Sequence, residues 1–594
     1  DWLFKFDFLK YIKPLKRLSS SLASNQKDEG LFDRSFENFF VNLALLIFSI
    51  LSLPLIRAST GTLGSWGLWM VLLLLIALNG VLLTWQKTSW RFLFLFGVTF
   101  FLAAVLGANL PATWLPDFLG PISVIAISLS IFVVILATIY NWGLSQNPQF
   151  PIITILVGLA ILSSFFNFND NHRFRQFRNP EKPDLPSLES SFEQWLANRP
   201  DRAQFSNKPY PVYIATAQGG GIYAAYHAAT AFTKLTEYFP SFPQHVFAIS
   251  GVSGGSLGAS AFSSLVKAGG IRGQSLSQTA SQLFSYDLLS PLLTMGLFPD
   301  LIQRFIFFPI YDWDRATGLE VAFENDWDKL SFPNQENPLR QSFYQHWQPQ
   351  GNVPALVLNT TIVETGDRLA ISPFKIILPN RENIALDEPG LDLKLSTAAG
   401  LSARFPYFTP VGWYQRSRDH SKLRLADGGY FDNSGIPTAL DIGRNLQKLK
   451  GYGETFEIIY LSLIDQHFNG SATPIENAGL NELLSPINAL FSARESRSRS
   501  AVELSTFTVN DGIDDPLKYK FRTLFLKKLD NGVNLPLGWF LSDVSRKFID
   551  SQTPNPKDKP CDGAKFRQSY ENGQVGIDDN HNRCVITSIG NDLS

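Results

Sequence analysis

Cysteine, methionine and charge are all scarce in this chain of 594 residues. There are two cysteines, Cys561 and Cys584, and two methionines. Two cysteines cannot build a disulfide scaffold. Neither they nor the seven histidines fall at the spacing of a zinc site, so no metal and no cofactor is expected. Charged residues make up 17% of the chain, against about 25% in a usual soluble domain. The net charge is −1, which leaves no basic excess to attract nucleic acid. The charge deficit is local. Between Asn38 and Asn167 the charged residues are Arg57, Lys87, Arg91 and Asp117 alone. That excludes a wholly soluble chain and a disordered one.

This charge-poor block contains five apolar stretches near the length of about 20 residues that a bilayer core requires. They run over 39–56, 66–85, 92–110, 119–142 and 150–166, with Trp66, Trp85, Trp90, Trp114 and Trp142 near their ends. Aromatic residues at span ends match an interfacial belt. The span interiors hold no Asp, Glu, Lys, Arg or His. An ion or proton pathway would need one, so the block reads as an anchor. Ahead of it, residues 1–37 mix aromatic and basic side chains, as an interfacial helix or a solvated tail would. The expected organisation is this segment, about five transmembrane helices over 38–168, a proline-containing linker over 169–208 with a short helix at 188–197, a soluble domain over 209–545, and a polar tail over 546–594. The chain opens on Asp1 rather than Met, which leaves room for a segment upstream.

From Pro209 onward short apolar runs alternate with helical stretches. Strands are predicted at 211–217, 245–250, 355–363, 423–426 and 457–464, which implies an α/β domain with a largely parallel sheet flanked by helices. Ligands in such sheets bind beyond the carboxyl ends of the strands. Three glycine-marked turns fall at those ends. Gly219-Gly220-Gly221 presents bare amides at a helix start, where an anion is favoured. It lacks both dinucleotide spacing and a P-loop lysine. Gly251-Val252-Ser253-Gly254-Gly255 fits the strand–turn–helix elbow that lifts a serine hydroxyl above a sheet, with the Gly254 amide placed to bind an oxyanion. Asp427-Gly428-Gly429 sets a carboxylate at a strand end. Taken singly, each also fits a purely structural turn.

The ordered set resembles the patatin-like phospholipase family. The segments Leu358–Gly366, Ser396–Pro410 and Tyr430–Gly435 are similar as well, and the resemblance runs from about Pro209 to Leu440. It implies a lipid acyl hydrolase with a Ser–Asp dyad, which the apolar block, lying outside the resemblance, would anchor in a membrane. Ser253 would be the nucleophile and Asp427 the base, with the amides of Gly219, Gly220, Gly221 and Gly254 as the oxyanion hole. The implied partners are a phospholipid or lysophospholipid substrate and the bilayer. The chain departs from the family pattern at Tyr223 and Gln218: a basic residue is often found two places after the triple glycine, and here Tyr223 stands there. Three other readings stay open: an acyltransferase using the same dyad, a Ser–Asp–His esterase recruiting His467, and a membrane scaffold with an inactive hydrolase domain. Phe305–Ile310, with Tyr311 and Trp313, is either an apolar lip or core. Arg494, Arg497 and Arg499 either face lipid headgroups or form a solvated helix face.

Sidedness follows lysine and arginine in short flanks. With the N-terminus inside, nine lie inside and five outside. Five spans would then place the catalytic block on the extracytoplasmic side, where Cys561 and Cys584 could pair.

Overall fold

The computed structural model describes residues 114–594, apart from breaks at 146–147, 149–150, 179–183, 272, 331, 333–334, 406–407, 450–454, 466–480, 528–534, 536–537, 573–574 and 577–578. The 1–37 segment, the first three candidate spans and His467 lie outside the described residues.

The fourth candidate span falls within α1 (Trp114–Leu144), and the fifth contains α2 (Ile152–Phe165). The α1 backbone kinks at Gly120, where φ is 75°. Pro121 follows, and a proline ring disfavours helical geometry in the residue before it. Within α1, Pro116–Ala137 is the one stretch among the described residues that is long and apolar enough to cross a membrane. At 1.5 Å per residue α2 reaches only about 21 Å, short of a hydrocarbon core of about 30 Å. Of the expected five-helix bundle, the described residues therefore show one helix of spanning length. That helix is docked on the rest of the chain. Val124 and Ile131 pack with Phe298, and Asp117 pairs with Lys329 at 2.7 Å. Phe118, Ile125, Leu129, Val133 and Leu136 are exposed on its other side.

An eight-stranded mixed sheet organises the remainder. Its strands are β1 (Tyr210–Ala217), β2 (Val246–Val252), β3 (Ala355–Ile362), β4 (Arg368–Ile371), β5 (Gly412–Gln415), β6 (Lys422–Asp427), β7 (Phe456–Asp465) and β8 (Phe521–Leu526). They lie in the order β8-β7-β1-β2-β3-β6-β5, with β4 also paired to β3. From β8 to β3 every neighbour is parallel. The strands β4, β6 and β5 add antiparallel pairings. Helices bracket the sheet: α3 (Leu188–Ala197), α4 (Gly221–Tyr238), α5 (Gly254–Ala268), α6 (Arg315–Lys329), α7 (Leu395–Ser402), α8 (Ile436–Gln447), α9 (Asn481–Val509) and α10 (Asp579–Leu593).

Strand side chains alternate between faces, and here both faces are covered. Tyr213, Ala215, Ile459 and Leu461 join Ile222 and Phe232 of α4 and Leu257 and Phe262 of α5 in one buried cluster. Val212, Ile214, Ile458 and Tyr460 join Phe192 and Trp195 of α3 and Ile442 and Leu446 of α8 in the other. Burial on both sides explains why these strands read as continuous apolar runs.

The flanking segments are folded onto this core. Between α2 and β1, the expected linker supplies α3, whose Ser187 caps Ser190 N. The segment expected as a polar tail supplies α10, whose Cys584, Val585, Ile586 and Ile589 enter the α4/α5 cluster. Asn582 Oδ1 accepts from Phe525 N of β8 at 2.9 Å. A disulfide joins Cys561 to Cys584.

Candidate active site

Ser253 sits between β2 and α5 with φ 52° and ψ −126°. A serine at positive φ is uncommon, and such a conformation persists only where surrounding contacts enforce it. Those contacts are present. Ser253 N donates to Ser402 O at 3.2 Å and to Ser402 Oγ at 3.1 Å. Ser402 Oγ bonds Asn359 O at 2.6 Å. Asn359 Nδ2 holds Gly251 O at 2.8 Å and Ser250 Oγ at 2.9 Å. The elbow is thus tied to β3 and α7 on both sides of the serine.

Close approach makes glycine necessary after it. A Cβ on Gly254 would collide with the Gly221 carbonyl, so the helix starting at the elbow can sit against the triple-glycine turn only without a side chain there. The same packing sets Gly255 against the Ala217 carbonyl and Gly428 against the Asn359 carbonyl, and brings Gly251 to Ser256. From the other side, a Cβ on Gly219 would lie 2.9 Å from Ser253 Cβ.

Asp427 closes β6. Its Oδ2 accepts the Ser253 hydroxyl proton at 2.6 Å, and its Oδ1 accepts from Gly429 N at 2.7 Å. Both side chains are buried. Burial pushes the Asp427 carboxyl above the usual carboxylate range. The Arg494 charge and the hydrogen bonds from Ser253 and Gly429 hold it back in part. Serine and aspartate are 174 positions apart in sequence, and the sheet brings them into direct contact.

The four expected oxyanion donors are not equivalent. Gly219 N already donates to Asn433 O at 2.9 Å, and Asn433 Nδ2 returns a bond to Gly219 O at 3.0 Å. This clamp fixes the turn and occupies the Gly219 amide. Among the described residues no acceptor faces the amides of Gly220, Gly221 and Gly254. Tyr223 lies over Gly220, and its hydroxyl donates to Asp465.

The sequence singled out neither Asn433, Asn359 nor Ser402 as an individual site residue, although all three stand in or beside segments that carried the resemblance. Arg494 of α9 also reaches this site, bonding Asn433 Oδ1 and lying near the Phe405 ring. Phe305, Phe307, Phe308 and Tyr311 are exposed, so this segment is surface and not core. Among the described residues no group of His, Cys, Asp and Glu could hold a metal ion.

No family model matches the sequence, and no curated protein does. Among solved structures the chain is similar to VipD from Legionella pneumophila, at 10% identity over 65% of this chain and 79% of VipD, with a TM-score of 0.22. A likeness at that level does not by itself establish a shared fold.

Proposed function

We propose that this protein is a membrane-anchored serine acyl hydrolase of lipid esters, with Ser253 as nucleophile and Asp427 as general base. The observation that carries the proposal is the 2.6 Å hydrogen bond from Ser253 Oγ to Asp427 Oδ2, made by a serine held at positive φ at a strand–helix elbow. Ser253 Oγ attacks the ester carbonyl as its proton passes to Asp427. The amides of Gly220, Gly221 and Gly254 take the developing oxyanion. Collapse of the tetrahedral intermediate breaks the ester C–O bond, and the alkoxide leaves with the proton from Asp427. Water then attacks the acyl-enzyme, Asp427 accepts its proton, and Ser253 is released with the free acid.

Two features support a lipid substrate and an anchor. The stretch Pro116–Ala137 meets the length and composition of a span, and Phe305, Phe307 and Phe308 form an exposed apolar surface of the kind that meets membranes or partners. The Cys561–Cys584 pair is in keeping with an extracytoplasmic catalytic block.

Direct contact between the serine and the carboxylate favours a dyad over a triad, in which an imidazole would stand between them. The full chain assayed on vesicles of radiolabelled phospholipid tests this. Asp427→Asn is expected to lose at least about a thousandfold in kcat, the order seen when a positioned general base is removed. His467→Ala is expected to retain most activity. Equal damage from both, with folding intact, would replace the dyad with a Ser–Asp–His triad. An added acyl acceptor that diverts label from free acid to ester would make the enzyme an acyltransferase.

A further inference from the structure

Arg494 differs from most of the arginines drawn into this domain, and from Arg199, which lacks a carboxylate but bonds four backbone carbonyls. Arg175 lies between Glu320 and Glu324, Arg404 between Asp314 and Glu320, and Arg522 against Asp592. Each of these cations has a carboxylate partner. Arg494 is half-buried beside the Ser253–Asp427 pair, and among the described residues no carboxylate pairs with it. One of its donors goes to Asn433 Oδ1. Its Nε is buried with no hydrogen-bond partner. The guanidinium plane lies on Gly429, where a Cβ would come within 2.8 Å of both Cζ and Nε. The Phe405 ring stands 5.9 Å away.

A guanidinium held this way is set for a ligand. Leaving its donors unmatched in a half-buried setting is costly. The planar fork matches an oxyanion with two oxygens, such as a phosphate. Asn433, which fixes Arg494, also clamps Gly219 from both sides. The cation is therefore one residue removed from the turn that presents the oxyanion-hole amides. An anionic group held by Arg494 would place the adjoining acyl ester at the Ser253 hydroxyl. Other groups facing Arg494 are compatible with this role. Asp427 is engaged by Ser253 and Gly429, and Tyr223 donates to Asp465.

We propose that Arg494 is the headgroup subsite of the enzyme. It binds the phosphate of a phosphate-bearing acyl ester, and Asn433 orients it. This inference rests on Ser253 and Asp427 being the hydrolytic pair. It makes Arg494 a specificity-determining residue, supplied from a long helix distant in sequence from the elbow.

The test uses the full chain in detergent micelles with two soluble esters, dihexanoyl phosphatidic acid and dihexanoylglycerol, which share acyl chains and differ only in the phosphate. For Arg494→Gln the ratio of kcat/KM on the phosphate ester to kcat/KM on the neutral ester is expected to fall about tenfold to a hundredfold, the worth of a charge-assisted hydrogen bond. The fall should come mainly through KM. Arg494→Lys should recover part of the ratio, because a point charge replaces the fork. Inorganic phosphate should inhibit the wild type competitively and Arg494→Gln much less. An unchanged ratio in Arg494→Gln overturns the proposal. So does inhibition by phosphate without any change in the ratio, which would mark a site for free phosphate. Fluorophosphonate labelling of Ser253 in each variant keeps the two readings apart. Absence of labelling in the wild type defeats the hydrolase reading itself, whereas labelling with an unchanged ratio defeats only the headgroup subsite. If Arg494→Gln does not fold, the ratio measured in Arg494→Lys decides in its place.

Discussion

At the scale of single residues, the proposed chemistry depends on keeping a buried carboxylate ionised. Asp427 has a pKa raised by burial and restrained by Arg494, Ser253 Oγ and Gly429 N. A base must be deprotonated to take the serine proton. The folded pKa is raised, so protonated Asp427 persists to higher pH than a free carboxyl would. Activity should therefore be lost as pH falls through that raised pKa, and recovered above it. The acid limb of kcat/KM, which reports the free enzyme, is expected above the ordinary aspartate range of about 3.9. In Arg494→Gln that limb should move to still higher pH, because a nearby cation favouring the charged form has been removed. A pH–rate profile on dihexanoylglycerol measures both. An acid limb at or below the free-aspartate value would mean that another group sets the ionisation.

At the scale of elements, the site is a meeting of strand ends, and each turn is shaped by what presses on it. The start of α5 lies against the triple-glycine turn through Gly254. Gly254→Ala is expected to cost at least about a hundredfold in kcat, since it displaces an amide of the proposed oxyanion hole. It should also destabilise the fold by about 1–3 kcal/mol through overpacking. Denaturant unfolding, run beside the kinetics, separates the two effects. A fully active Gly254→Ala would contradict the placement of the hole.

Much of this was legible in the sequence. The strands predicted at 211–217, 245–250, 355–363, 423–426 and 457–464 coincide closely with β1, β2, β3, β6 and β7, because strands buried on both faces leave unbroken apolar runs. The three glycine turns stood at their ends. What escaped depends on contacts distant in sequence. The strands β4 and β5 are four residues each, too short to show a period. The approach of Arg494 to Asn433 is set by how α9 packs, which no local pattern encodes. The role of α10 escaped because its buried side chains occupy one face of an otherwise polar helix. Phe305–Phe308 reads in sequence as core somewhat more readily than as surface, and its exposure corrects that reading, since composition alone does not say which side of a boundary an apolar run occupies.

At the scale of the whole molecule, an apolar helix is docked beside a mixed-sheet α/β domain. The contact is specific. Val124 and Ile131 meet Phe298 and Asp117 meets Lys329, while just beyond α2 Asn169 Nδ2 bonds Arg304 O at 3.1 Å. Those contacts set α1 and the end of α2 beside the stretch that runs from Phe298 to the exposed Phe305, Phe307 and Phe308. A catalytic domain held at a bilayer meets its substrate at raised effective concentration. The arrangement matters only if the buried serine is a nucleophile, and one experiment addresses that most directly. The full chain is treated with a fluorophosphonate, and the adduct is located by peptide mass spectrometry in the wild type, Ser253→Ala and Asp427→Asn. One adduct is expected, on Ser253, absent in Ser253→Ala and formed far more slowly in Asp427→Asn. An unlabelled wild type, or an adduct on a different serine that survives Ser253→Ala, would contradict it.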